Sequence, residues 1–347
     1  MKIWGKSKKK NADFLIFTNF AEVMSQLDVI LNPIKSEFEH FQQMFSHFVD
    51  TDNPLLLDVL RHVVQRKGKQ MRPILTLLFA RLYGNVSDAT YNSALSLELL
   101  HTASLIHDDV VDESTERRGL PSVPALFGSK VSVLSGDFLL ATSLSYMSLI
   151  ENMEMARVVS RLAQELADGE LLQQHFSFSD SVTEEIYFSI IKKKTASLFS
   201  ACARLGAMSA EASNEEIEKS ARFGELVGLC FQIRDDIFDY FDSSEIGKPT
   251  GNDIREGKQT LPLLYALKQH GNAEIMQLVH QLGEAEITDE KAKKLTSFAI
   301  ENGGIEYAEK VMDELRQQAL DILPKEGDAE VLEALRAYLT AVVTRTK

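Results

Sequence analysis

The 347-residue chain has only two cysteines, Cys202 and Cys230. Both lie in apolar surroundings of helical pattern, without metal-ligand spacing. That argues against a disulfide framework or a thiolate metal site and points to reduced core thiols in a cytoplasmic setting. No uninterrupted apolar run approaches the 18 residues that a membrane-spanning helix needs. Basic residues are in deficit, 37 Lys and Arg against 51 Asp and Glu, for a net charge of −14. A chain this acidic lacks the basic surface of a general nucleic-acid binder. Proline is scarce, with 8 residues, and no alternating strand set with hairpin turns is found. No linker rich in Pro, Gly or Ser and no short-period repeat divides the chain, which favours one domain over a solenoid or array. The basic stretch with Lys2, Lys6, Lys8, Lys9 and Lys10 lacks the apolar core of a signal peptide. It reads as a flexible tail over residues 1–22 that could touch anionic lipid, ahead of a single all-α domain over 23–347.

Helical periodicity is what the chain does have. It predicts helices over about 19–47, 53–66, 70–84, 88–113, 123–126, 129–150, 153–175, 182–211, 215–241, 259–271, 273–283, 289–302, 304–322 and 328–344. Two of these end in the same carboxylate pattern, Asp108-Asp109-Val110-Val111-Asp112 and, 127 residues later, Asp235-Asp236-Ile237-Phe238-Asp239. On a helix, residues i and i+4 share a face. Like charges so placed beside a core repel unless a cation compensates them. Mg²⁺ fits, since it takes one or two carboxylates, waters and phosphate oxygens. A single acidic motif is usually a solvated helix face; two copies, each after an apolar run, argue for a pair of acidic walls. The runs before them (Leu97 to Ile106 and Leu226 to Ile233) are apolar nearly all round and belong in the centre of a bundle.

Basic residues complete the pattern. Lys69 and Arg72 stand three apart at a helix start, Arg117 and Arg118 follow the first motif, and Lys248 and Lys258 follow the second. Lys194-Thr195 lies inside a helical stretch, and His101 precedes Asp108 on the same helix. Arg suits bidentate phosphate contacts and Lys acts as a point charge. Each residue alone has an ordinary reading: a core histidine, or a solvated lysine run such as Lys192 to Lys194.

In their order, Lys69…Arg72-Pro73, His101, the first aspartate motif, Arg117-Arg118-Gly119, Lys194-Thr195, Phe231-Gln232 with the second motif, Gly247-Lys248 and Lys258, the chain resembles the trans-isoprenyl diphosphate synthases, or polyprenyl synthetases. The match spans roughly residues 30–320, and the wording of Leu105 to Ser114 is most like bacterial long-chain members of the octaprenyl type. The resemblance implies an all-α isoprenoid synthase fold, a bundle of long helices around a deep central cavity. It implies Mg²⁺-dependent head-to-tail condensation of an allylic diphosphate, farnesyl diphosphate by expectation, with successive isopentenyl diphosphates. By the same resemblance, Asp108, Asp109, Asp112, Asp235, Asp236 and Asp239 hold the metal, three Mg²⁺ per site with substrate bound. Arg117, Lys194, Lys248 and Lys258 contact the allylic diphosphate, and Lys69, Arg72, His101 and Arg118 the isopentenyl diphosphate. Thr195 and Gln232 stand near the developing carbocation, with Gln173 near the metal site. A homodimer and transient contact with a membrane surface for product release are further implications. The family usually has Gly-Gly-Lys-Arg where this chain has Lys67-Gly68-Lys69-Gln70.

Chain length is expected to depend on Ala103 and Ser104, just below Asp108, where short-chain relatives place aromatic rings. Two small residues let a tail pass; they also permit close helix packing, which is the usual reading of such a pair. The expectation is an all-trans octaprenyl (C40) diphosphate for quinone side chains, with Met147, Ile150 and Val159 as candidates for the tunnel floor. The rivals are a shorter-chain (C15–C20) synthase, the catalytic subunit of a heteromeric synthase, and a class I terpene cyclase. The cyclase usually carries an Asn/Asp-Ser/Thr-Glu motif where this chain has a second aspartate cluster.

Overall fold

The computed structural model describes residues 26–47, 51–65, 68–117, 119–177, 179, 181–241, 251–281 and 288–345. The expected basic tail, Arg118, Gly247 and Lys248 lie outside the described residues. A helical segment over 26–31 and a 3-10 turn, Asn32–Ile34, lead into α1 (Lys35–His47). There follow α2 (Pro54–Gln65), α3 (Met71–Tyr83) and α4 (Asp88–Val111). A small antiparallel hairpin joins β1 (Glu116–Arg117) to β2 (Leu120–Pro121). Next come α5 (Val123–Phe127), α6 (Ser129–Ser148), α7 (Met153–Phe176) and α8 (Glu184–Ile191). A π-turn, Lys192–Ala196, connects α8 to α9 (Ser197–Ser209). The C-terminal half holds α10 (Asn214–Phe238), α11 (Asn252–Arg255), α12 (Leu261–His270), α13 (Ala273–His280), α14 (Asp289–Glu301), α15 (Gly304–Ile322) and α16 (Ala329–Thr344).

The all-α expectation holds, and most helix boundaries fall within a few residues of the sequence reading. Three details differ. The span over 182–211 starts at Glu184 and is interrupted by the π-turn. The short α11 and the hairpin were not expected. Both are too brief to carry a periodic apolar signal, so they follow from what they pack against.

The acid-ended helices α4 and α10 are central. Both pack on α9, which stands between them and is covered on another side by α3. α6 runs along α4, and α15 along α10. The start of α10 is fixed locally by a capping box: Ser213 Oγ accepts from the Glu216 amide at 3.3 Å, and Glu216 Oε2 accepts from the Ser213 amide at 2.8 Å. One apolar core links the bundle, from Phe41 and Phe79 through Leu97, Phe199 and Phe223 to Tyr338. Tyr338 is fully buried, and its hydroxyl donates to the Met71 carbonyl at 2.9 Å, tying α16 to the head of α3. Cys202 and Cys230 are free and buried, as expected, and burial pushes both thiols up to about 12. No described helix is long and apolar enough to cross a membrane.

Candidate active site

The π-turn places the first functional pair. A Cβ on Gly169 of α7 would stand 2.8 Å from the Lys194 amide, and one on Gly228 of α10 would stand 2.5 Å from the Ala196 Cα. Only glycine allows both helices to close on the turn. The extra residue of a π-turn re-aims its side chains, and such turns are frequent at functional sites. Lys194, Thr195, Gln232, Asp236 and Lys258 thereby line one open cleft of about 660 Å³. Gln173 lines it too, with its Nε2 buried and without a hydrogen-bond partner among the described residues. The lining also has an apolar part, through Phe176, Val182, Ile190 and Ile191.

The first motif ends α4. Asp109 is 1% exposed and accepts from Arg117 Nε at 2.6 Å. Asp108 and Asp112 make no side-chain hydrogen bond among the described residues. Burial raises Asp108 to about 6, against the opposing pull of the Lys194 ammonium. Burial also raises Asp112, against Lys258 and Lys194. Lys194 is itself paired with Glu170 at 2.5 Å.

The second motif is anchored from further away. Asp235 pairs with Arg345 Nη2 at 2.6 Å, and the Arg345 guanidinium lies 3.8 Å over the Phe231 ring. Asp236, 4% exposed, accepts from the Tyr187 hydroxyl at 2.6 Å and from Gln232 Nε2 at 2.8 Å. Burial nevertheless lifts it to about 7. Asp239 accepts from the Asn252 and Asp253 amides at 3.1 and 3.0 Å, which explains why α11 exists where no periodicity called for it. Burial, with Asp236 and Asp239 close by, pushes Asp253 well above the carboxylate range. The Lys258 ammonium is desolvated, yet Asp253, Glu256 and Asp112 together hold it above its ordinary value. Lys258 thus lies within the field of the first acidic wall and of Asp253, the neighbour of the second.

Of the residues expected on the isopentenyl diphosphate, His101 lines a second cavity, which Lys69 and Arg72 do not line. His101, Gly68, Gln70, Asp109 and Arg117 line it, with Thr102, Leu105 and Ile106. Arg117 stands with this set, on Asp109, and not with the lysines of the first cleft. Gln70 adopts a left-handed conformation with φ 48°, and Gln42 Nε2 donates to its Oε1 at 3.2 Å. The Arg72 guanidinium lies 5.0 Å over the Phe199 ring, and Lys69 is exposed. Ala103 is buried in the core and Ser104 is half-buried, its hydroxyl donating to the His101 carbonyl at 2.9 Å. Met147, Ile150 and Val159 are buried core residues.

Among the described residues, no three of His, Cys, Asp or Glu converge as a ready-made metal cage. The donor set still fits a hard dication. It is all oxygen, Asp236 lines the first cleft and Asp109 the second cavity, and burial leaves Asp108, Asp112 and Asp239 with raised proton affinity that a bound cation would relieve. Sequence reasoning missed Tyr187, Glu170, Arg345 and Asp253. Asp253 stood beside a recognised loop, and Glu170 three residues before Gln173. Tyr187 and Arg345 carry no local signal.

The sequence pattern of the family described as "Polyprenyl synthetase" matches residues 53–298. The chain is 33% identical to the octaprenyl diphosphate synthase of Haemophilus influenzae over 91% of its own length and 97% of that protein. A crystal structure of a geranylgeranyl pyrophosphate synthase from Bacteroides thetaiotaomicron superposes with a TM-score of 0.81 at 46% identity, covering 92% of this chain and all of that one. A polyprenyl synthase from Caulobacter crescentus, complexed with calcium and isoprenyl diphosphate, superposes with a TM-score of 0.85 at 30% identity, covering 92% of this chain and 98% of that one. The chain belongs to the polyprenyl synthetase family and is a prenyltransferase of the polyprenyl diphosphate synthase type.

Proposed function

We propose that this polyprenyl synthetase condenses farnesyl diphosphate head-to-tail with successive isopentenyl diphosphates to give an all-trans octaprenyl (C40) diphosphate, destined for quinone side chains. The observation that carries the reading is the make-up of the first cleft, which combines Lys194, Lys258, Thr195 and Gln232 with an apolar lining of Phe176, Val182, Ile190 and Ile191. That pairing suits a diphosphate head with a hydrocarbon tail.

The hard step is breaking an allylic C–O bond, in which negative charge builds on the leaving diphosphate and positive charge on the allyl group. Lys194 and Lys258 stabilise the first, as preorganised cations aimed where charge develops. Thr195 and Gln232 face the second. The apolar wall keeps water from quenching it. Arg72, His101 and Lys69, with Arg118, bind the isopentenyl diphosphate and hold its double bond in reach, which supplies proximity. Mg²⁺, three ions with substrate bound, would supply charge neutralisation on the leaving group and a template for it. Asp108 and Asp112 of the first wall, with Asp235 and Asp239 of the second, are the carboxylates suited to hold it; Asp109 and Asp236 already have braces in Arg117 and in Tyr187 with Gln232. Lys248 completes the allylic diphosphate contacts, whereas Arg117, expected there from the resemblance, lines the second cavity and braces Asp109.

A shorter C20 product is the second reading, favoured by the 46% identity to the Bacteroides geranylgeranyl pyrophosphate synthase. Incubating the purified chain with Mg²⁺, farnesyl diphosphate and labelled isopentenyl diphosphate, with products sized by chromatography, separates the two. A ladder ending near C40 supports the first; a single C20 product replaces it with the second. We also propose a homodimer, supported by the exposed apolar residues Leu134, Phe138 and Leu144 of α6. Light scattering on the eluting protein tests it. Transient contact with a membrane surface would release the product, and vesicle co-sedimentation with product present tests that contact.

A further inference from the structure

One hydrogen-bonded chain runs along the wall of the first cleft, and the Gln232 amide sets its direction. The Tyr187 hydroxyl donates to Asp236 Oδ2 at 2.6 Å, and Gln232 Nε2 donates to Asp236 Oδ1 at 2.8 Å. The Gln232 amide is therefore oriented with its NH₂ toward Asp236 and its Oε1 toward Thr195. That oxygen accepts from Thr195 Oγ1 at 2.7 Å. Tyr187 is 4% exposed, and the Asp236 carboxyl is the acceptor for its hydroxyl. Each donor in the series is thus committed to the next acceptor inward.

The consequence falls on Thr195. Its one hydroxyl proton is turned away from the cleft, toward Gln232, so the oxygen has only lone pairs left to offer a bound molecule. An oxygen so presented attracts developing positive charge and cannot donate to a diphosphate oxygen. We propose that Tyr187 is a positioning residue of the condensation: acting through Asp236 and Gln232, it locks the Thr195 hydroxyl as an acceptor facing the allylic cation. This rests on the reading that an allylic diphosphate ionises in the first cleft. It assigns Asp236 the orientation of Gln232 and gives a role to Tyr187, which the sequence did not single out. A purely structural tyrosine, present only to satisfy a buried carboxylate, would alter stability and leave the chemical step of the folded enzyme untouched.

The test uses the full chain and steady-state kinetics for both substrates, with folding followed by circular dichroism. Tyr187→Phe should lower kcat by about 10- to 100-fold, the scale of loss from small misplacement of a reacting constellation, with both KM values within about two-fold of wild type. Thr195→Val should lower kcat as well, and Thr195→Ser should restore it. The double variant Tyr187→Phe/Thr195→Val should be no slower than Thr195→Val alone, because both changes act through one hydroxyl. An unchanged kcat in folded Tyr187→Phe overturns the proposal, as do two losses that multiply in the double variant. Should Tyr187→Phe not fold, Gln232→Leu cuts the same relay. Non-additivity with Thr195→Val then supports the relay, and multiplication refutes it. Failure of the underlying reading looks different: the wild-type chain itself would then consume no allylic diphosphate.

Discussion

The two aspartate motifs share one spacing and sit at the ends of two central helices, yet they are built differently. The first is braced locally. Asp109 meets Arg117, eight residues on, and Asp108 and Asp112 make no side-chain hydrogen bond among the described residues. The second is braced from three distant places: Arg345 on Asp235, Tyr187 on Asp236, and the amides at the start of α11 on Asp239. Identical spacing therefore does not confer identical roles. The first wall is the adaptable one, suited to gather cations as substrate arrives. The second is preorganised, with most of its carboxylate oxygens already committed.

The harshest way to break that comparison is to remove one carboxylate from each wall. Asp108→Ala and Asp235→Ala should each lower turnover by about 10³-fold or more, a loss on the scale of removing a key electrostatic group. Incorporation of labelled isopentenyl diphosphate measures it, with circular dichroism expected to show a retained fold. Near wild-type turnover in either variant would remove that carboxylate from the metal set.

Next in size is Ala103→Phe. A ring at this position should shorten the product by one or more isoprene units without abolishing condensation, as sized by chromatography. An unchanged product length would mean that the tail does not pass Ala103.

A smaller effect tests the electrostatics. Asp108 at about 6 and Asp236 at about 7 hold protons in the folded chain that the unfolded chain has released, its carboxyls titrating near 3.8. The favourable contribution of these groups is full below about pH 4 and is lost as pH rises through 6 to 7. Metal-free protein should therefore melt at a lower temperature at pH 8 than at pH 5, and added Mg²⁺ should reverse part of the loss at pH 8. Asp108→Asn should flatten the profile. A melting temperature that does not fall between pH 5 and 8 in the metal-free protein would contradict burial as the origin of the raised pKa values.

The smallest effect sharpens the contrast between local and remote bracing. Arg345→Ala removes an ion pair with a half-exposed aspartate and a guanidinium stacked on Phe231. Such contacts contribute roughly 1 kcal/mol. A urea midpoint shift of that size is expected, together with tighter Mg²⁺ binding by calorimetry, since Asp235 is then released. Weaker Mg²⁺ binding would mean that Arg345 supports the metal site instead of competing with it.

The helices were legible because burial of a stripe every 3.6 residues is a property of consecutive residues. So were the two motifs and the order of the basic residues, on which the family reading rests. The π-turn was not legible: it depends on Gly169 and Gly228 admitting it from two other helices. Nor was the partition of the basic residues, in which Arg117 joins His101 at one cavity while Lys194 and Lys258 line the other.

By itself, then, the sequence determined the all-α class, the two carboxylate-ended helices and the chemistry that such carboxylates and cations can perform, because these depend on residue type and short-range spacing. Only the tertiary structure decided which oxygen faces which donor. The proton positions along Tyr187, Asp236, Gln232 and Thr195, and the pairing of Asp235 with Arg345, arise where segments 37 to 110 residues apart are packed together. No periodicity within either segment carries that information, since the energies that select it are those of burying polar groups with their partners.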